Sequence, residues 1–222
     1  MSFHSRRPIV HFHALAEMRA APLRWSQHLI DAEVEEASRF LRADDRDRFI
    51  LGRGALREAV GRILNRLPKS LDIRRDKHGK PRLVDAHGIH ANVSHSGSLV
   101  AVALGTQAQL GVDVEMHRQD CAERSSARYF MSRNEQAAMV SLPEKQRIEY
   151  FFRQWCSKEA LVKALGTGLL LDPTRFEITF DEHGPRLRFV GSMEDDVGSG
   201  WSIESLPVPA GYSAALAWRN EI

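Results

Sequence analysis

Hydrophobic and polar positions alternate or recur with two periods along this chain, and the periods mark out its elements. Leu99–Leu104 is a short apolar run, and Leu110–Glu115 alternates, so both read as strands with a turn at Gly105–Gln109. Asp44–Leu67 carries a helical period and must end before Pro68; an earlier helical stretch opens at Ser26 or Asp31 and runs to about Leu41. Ser132 opens a short helix to Val140. Pro143 begins the longest helix, which stops around Gly166 and Gly168. The last third reads as strands and turns, with a Gly/Asp-rich loop at Met193–Gly200.

These elements come in two similar sets. Gly54–Gly61 (GALREAVG) lies over Glu159–Gly166 (EALVKALG), and Asp76–Val84 (DKHGKPRLV) lies over Asp181–Val190 (DEHGPRLRFV) with one insertion. Ser96–Leu104 (SGSLVAVAL) then answers Ala210–Trp218 (AGYSAALAW). Three matches in one order argue for duplication. The expected architecture is α+β: two similar subdomains, 1–105 and 106–222, packed as a pseudo-dimer. Each has a long helix, a hairpin turning at Asp-x-His-Gly and a closing apolar strand.

Composition adds bounds. At 43% hydrophobic and 27% charged residues the 222-residue chain has the make-up of a globular protein with a proper core. No apolar run approaches a membrane span, and no secretory h-region follows the basic start, so no membrane partner is expected. Only Cys121 and Cys156 occur, without zinc-type spacing to the histidines, which fits a reducing cytoplasm. Net charge is +2 but lopsided: residues 1–105 hold 18 Lys+Arg against 12 Asp+Glu, and the remainder 13 against 17. A basic half attracts phosphates or an acidic protein, and an acidic half can hold a cation, although a solvated surface explains the same counts.

The sharpest local feature is Gly111–Glu115, GVDVE. In a strand Asp113 and Glu115 share one face while Val112 and Val114 take the other. On the Pro143 helix, a wheel at about 100° per residue puts Ile148, Phe151, Phe152, Trp155 and Val162 on one face with Glu159 among them. Such a glutamate needs a partner. Lys163, at i+4, supplies one answer, a salt bridge worth about 0.3–0.5 kcal/mol if exposed. The other answer is a cation shared by Asp113, Glu115 and Glu159. An all-oxygen donor set suits Mg²⁺ or Mn²⁺, and magnesium usually takes remaining ligands from phosphates.

GVDVE, followed some forty residues later by WCSKEALVKALGTGL (Trp155–Leu169), resembles the signature of the Sfp-type 4′-phosphopantetheinyl transferases. That pattern is roughly (V/I)G(V/I)D(V/I)E, then (F/W)xxKEAxxKxxGxGL. NVSHSG (Asn92–Gly97) and GKP (Gly79–Pro81) also match, and together the segments span Gly52–Leu170 in the family's order. The resemblance implies the pseudo-dimer fold with an active-site cleft between its subdomains. It also implies transfer of the 4′-phosphopantetheine arm of coenzyme A to a serine of an apo acyl or peptidyl carrier protein, releasing 3′,5′-ADP. Asp113, Glu115 and Glu159 become the magnesium ligands, with Mn²⁺ an alternative, and Asp113 touches the coenzyme A site. Glu135 becomes the general base, and Lys163 contacts the phosphates and assists the leaving group. Ser94 and His95 hold coenzyme A phosphates, Lys80 lies near its adenine end, and Arg53, then Arg48, meet the 3′-phosphate, with Arg57 a solvated face.

Local readings compete with some of these roles. Ser132–Glu135 (SRNE) is a capping box, which would make Glu135 structural. NVSHSG reads as a tight turn, which would make His95 a turn histidine, and Lys80 as a solvated hairpin lysine. The resemblance also implies that Glu115–Arg147, including Arg118, Arg124 and Arg128, contributes to carrier docking; Tyr129–Met131 would serve equally as core. A monomer and no nucleic-acid partner are expected. Two rival functions remain: a magnesium-dependent phosphodiesterase or nucleotidyl transferase, and a non-catalytic carrier-binding paralogue.

Overall fold

Local signals build the first half of the chain element by element. The computed structural model describes residues 7–84, 86, 88–119, 127–166, 171–190 and 198–220. The chain divides into two compact units, 1–106 and 107–222. In the first, β1 (Ile9–Ala14) leads into α1 (Leu15–Ala20), α2 (Pro22–Ser26), α3 (Asp31–Ser38) and the long α4 (Ala43–Leu64). Ser26 therefore closes a helix rather than opening one. Helix α4 ends at Asn65, which takes the left-handed conformation with φ 50°, just ahead of Pro68. Strands β2 (Ile73–Arg75), β3 (Pro81–Leu83), β4 (His90–Ser96) and β5 (Leu99–Gly105) complete the unit.

The second unit opens on β6 (Leu110–Met116) and continues through α5 (Arg133–Ser141) and the long α6 (Glu144–Leu165). It ends with β7 (Phe176–Asp181), β8 (Gly184–Phe189), β9 (Trp201–Ser205) and β10 (Tyr212–Arg219). The two units share one topology. Sheet order is β1-β5-β4 in the first and β6-β10-β9 in the second, and every pairing is antiparallel. In both, a 22-residue helix is followed by a separate hairpin, β2-β3 or β7-β8. The duplication read from three sequence matches is thus a duplication of topology. Both hairpins turn through the same device: the Asp76 and Asp181 carboxylates accept from the backbone N–H groups of His78 and His183, each at 2.8 Å. Gly79 and Gly184 then supply the positive φ of 83° and 110° that the turn requires.

In the first unit α4 and the sheet enclose Trp25, Leu51, Leu56, Val100 and Val102, all 0% exposed. In the second, small residues of α6 (Cys156, Ala160, Ala164) meet Ala215 and Ala217 of β10. Phe151 and Phe152 pack with Phe130, Met131 and Met139 instead. The single apolar stripe expected on α6 is in fact a helix buried on several sides, with Gln154, Ser157 and Lys158 also enclosed. Phe130 and Met131 belong to the core, and Tyr129 is exposed beside Arg128. Strand β1 carries no fully buried position, so its own pattern is weak and its pairing with β5 defines it. Among the described residues no helix is long and apolar enough to cross a membrane.

Candidate active site

A glycine sets the geometry of the second unit. A Cβ on Gly111 would lie 2.1 Å from the Ala160 carbonyl oxygen and 2.5 Å from the Ala164 nitrogen. The backbone of α6 therefore rests directly on β6, a contact that any side chain at 111 would prevent. Residues 111, 113 and 115 share this helix-facing side, as the alternation requires, and across the sheet they meet Ala217, Ala215 and Ser213.

Close approach puts Asp113 under the helix. It is 2% exposed, and its Oδ1 accepts from Lys163 Nζ at 2.6 Å. Burial would lower the Lys163 ammonium, but Asp113, Glu159 and Glu115 outweigh it and raise its proton affinity. Glu159 moves the same way for another reason: burial first, then the Asp113 charge, holds its carboxyl above the ordinary range, with Lys163 opposing. The neighbouring Cys156 thiol is driven far up by burial, Asp113 and Glu115. Three carboxylates and one lysine thus share one electrostatic environment, and Lys163 pairs with Asp113 rather than with Glu159. Among the described residues no three His, Cys, Asp or Glu side chains form a ready metal shell. The donor set still suits a hard divalent ion, because all three groups are carboxylates and Glu159 is short of positive charge.

Glu135 sits in a different setting. At the N-terminus of α5 the Ser132 N–H donates to Glu135 Oε2 at 2.7 Å, while Ser132 Oγ accepts from the Glu135 N–H at 3.2 Å. The capping box is closed. Beyond it, Glu135 Oε1 accepts from the Ile178 N–H at 2.7 Å, and Oε2 pairs with Lys158 Nζ at 2.7 Å, both side chains being 2% exposed. Lys158 also donates to the carbonyls of Pro173 and Phe176. Glu135 therefore ties α5, α6 and β7 together, and its carboxylate is engaged on both oxygens.

The first unit holds a separate basic pocket of about 150 Å³. Arg48, Arg53, Arg75 and His95 line it, with Phe49 and Val93 as apolar wall and Gly79 and Pro81 on either side of Lys80. Arg48 donates to the Gly97 carbonyl at 2.6 Å and pairs with Asp45. Burial lowers Lys80 to about 8, against the pull of Asp76. NVSH is not a turn but part of β4; the turn is Gly97–Ser98. His95 shares a sheet face with Val93, and Ser94 takes the opposite face, where it is buried. Arg57, expected on a solvated face, is 0% exposed, with Nε donating to Glu33 Oε2 at 2.6 Å and Nη1 to the Pro68 and Leu71 carbonyls. No local pattern marked Arg75 or Glu33, which act through partners distant in sequence. Gly168 and Arg124 lie outside the described residues.

Comparison with known proteins bears on both units. The family model described as "4′-phosphopantetheinyl transferase superfamily" matches residues 109–217, and that described as "4′-phosphopantetheinyl transferase, N-terminal" matches residues 19–107. A putative 4′-phosphopantetheinyl transferase of Synechocystis sp. is 30% identical over 203 residues, 87% of this chain and 81% of that one. The chain belongs to the 4′-phosphopantetheinyl transferase superfamily. Further relatives agree with the resemblance of the motifs to the Sfp type. The transferase HetI of Nostoc sp. is 36% identical over 140 residues, 62% of this chain and 59% of its own length. The transferase Sfp of Bacillus subtilis is 28% identical over 182 residues, 82% of this chain and 78% of its own. Among solved structures, the holo-[acyl-carrier-protein] synthase of Neisseria meningitidis aligns with 52% of this chain and 99% of its own, at 16% identity and a TM-score of 0.45.

Proposed function

We propose that this protein moves the 4′-phosphopantetheine group from coenzyme A to a serine hydroxyl of an apo acyl or peptidyl carrier protein, with 3′,5′-ADP as the other product. The observation that carries the proposal is the Asp113–Lys163 pair with Glu115 and Glu159 beside it, on the two motifs that mark the family. In this reading Asp113, Glu115 and Glu159 hold Mg²⁺, or Mn²⁺ in its place. The ion supplies neutralisation of charge on the pyrophosphate. Lys163, held protonated by its carboxylate neighbours, binds phosphate oxygens and favours departure of the nucleotide. Arg48, Arg53, Lys80 and His95 bind the phosphates and adenine end of coenzyme A, with Ser94 contributing from the other face of β4.

Glu135 is the one role the geometry disfavours. A carboxylate shared among Ser132, Ile178 and Lys158 has a structural duty, so the serine proton passes instead through a water to Glu115 or Glu159 of the carboxylate cluster. The protein is further proposed to act as a monomer in the reducing cytoplasm, consistent with a free, buried Cys156.

The test is intact mass spectrometry of a panel of apo carrier proteins incubated with the protein, coenzyme A and Mg²⁺. One carrier should gain the mass of a single phosphopantetheine, and should not do so with EDTA or with its serine changed to alanine. No gain on any carrier, together with hydrolysis of coenzyme A or a nucleotide, would favour a phosphodiesterase.

A further inference from the structure

In the first unit α3 presents two carboxylates on adjacent turns, Glu33 and Glu36, and each holds a guanidinium from another element. Glu33 is 5% exposed and serves two arginines at once, accepting from Arg57 Nε and Arg53 Nε, each at 2.6 Å. It also accepts from the Ile30 N–H at 3.2 Å. Burial would raise the Glu33 carboxyl, but Arg57 and Arg53 outweigh it, so the group stays ionised. One negative charge between two positive ones leaves a surplus, and Arg53 carries that surplus to the pocket wall.

Glu36 is placed differently. Its Oε1 meets Arg75 Nη1 at 2.8 Å, and the two side chains are 39% and 45% exposed. The Arg75 guanidinium lies 5.6 Å from the centre of the Phe49 ring and lines the same pocket as Arg48, Arg53 and His95. An exposed ion pair of this kind contributes little, because water and salt compete for both partners. A guanidinium fork meets a phosphate through two parallel charge-assisted bonds, which is the stronger arrangement. Glu33 is too enclosed to exchange; Glu36 is not.

We infer that Arg75 is a further phosphate-binding residue of this pocket, and that Glu36 is the carboxylate its ligand displaces. The ligand group is a phosphate monoester: its second negative charge and third terminal oxygen let it meet Arg75 and another guanidinium of the pocket together, whereas a diester offers only two terminal oxygens and one charge. The inference rests on the coenzyme A reading, in which that group is the ribose 3′-phosphate. It makes Arg75 a determinant of the choice between coenzyme A and its 3′-dephospho form.

Calorimetric titration of the full chain with coenzyme A and with 3′-dephospho-coenzyme A tests it. Arg75→Gln should weaken coenzyme A by about tenfold, the worth of one charge-assisted contact. The 3′-dephospho form should bind as before. Arg75→Lys, which keeps the charge and loses the fork, should fall between. Glu36→Gln should tighten coenzyme A, because the competing carboxylate is gone. Equal weakening of both nucleotides by Arg75→Gln, no weakening of either, or looser coenzyme A binding in Glu36→Gln would overturn the inference. Thermal unfolding of each variant establishes the intact fold on which this comparison is made, and Arg75→Lys, judged by the same criterion, decides it if Arg75→Gln melts early. A parent chain that binds neither nucleotide would instead defeat the coenzyme A reading itself.

Discussion

Gly111→Ala tests the contact on which the second unit's site depends. The added methyl would lie 2.1 Å from the Ala160 carbonyl oxygen, where ordinary contacts begin at 3.4 Å, so helix and strand must separate by about 1.3 Å. The obstacle is backbone on both sides and cannot rotate away. Separation opens the seam of Cys156, Ala160, Ala164, Ala215 and Ala217, all 2% exposed or less. Overpacking of this kind costs about 1–3 kcal/mol, and a rigid obstacle belongs at the upper end. Replacing glycine returns about 0.5–1 kcal/mol through the unfolded chain, leaving a net loss of about 2 kcal/mol. For a chain of this length that lowers Tm by roughly 4–8 °C. Asp113 and Lys163 part as well, so carrier modification should fall further than stability alone explains. The control is Gly52→Ala in α4, where the new Cβ would meet Val93 and Val100 at 3.5 and 3.6 Å, ordinary packing distances. That variant should be unchanged or more stable by about 0.5–1 kcal/mol. Differential scanning calorimetry of the pair decides the matter. A Gly111→Ala protein melting within 2 °C of the parent (about the effect of 1 kcal/mol) would refute the close approach.

Further outcomes follow from the buried charges. Glu135→Gln leaves the Lys158 ammonium enclosed without its counter-charge, and urea unfolding should show a loss on the order of 3 kcal/mol. Burial already lowers Lys158, so that loss should shrink as pH rises and the ammonium sheds its proton; lost turnover at parental stability would instead restore the base role. Glu159 has its folded proton affinity raised, so the native state holds more protons than the unfolded one above the usual carboxylate range. Stability of the metal-free protein should therefore fall as pH rises through that window, and Glu159→Gln should remove the fall while abolishing transfer. Melting curves in EDTA from acid to neutral pH check the sign: the variant should match the parent at low pH and exceed it at neutral pH. Lys80, near 8 in the ligand-free protein, should take up a proton when coenzyme A binds between pH 8 and 9. Calorimetry in two buffers of different ionisation enthalpy measures that uptake, which Lys80→Gln should eliminate.

What the chain determined by itself is what depends on neighbours a few residues away. Ser132 and Glu135 closed the expected capping box, Gly166 ended the long helix with φ 70°, and both Asp-x-His-Gly segments became hairpin turns. Alternation put Asp113 and Glu115 on one face and Val112 and Val114 on the other, and the repeated order of elements carried the duplication into the topology. Tertiary structure decided the partners. Lys163 pairs with Asp113, 50 residues away, rather than with Glu159 at i−4, because the strand runs directly beneath the helix backbone at Gly111. Glu135 meets Lys158 and Ile178, Arg57 disappears under Glu33, and β1 exists through its pairing with β5. A carboxylate's role depends on which cation reaches it and how much water is excluded. Local sequence specifies a side chain's direction, but packing between distant segments specifies what it meets.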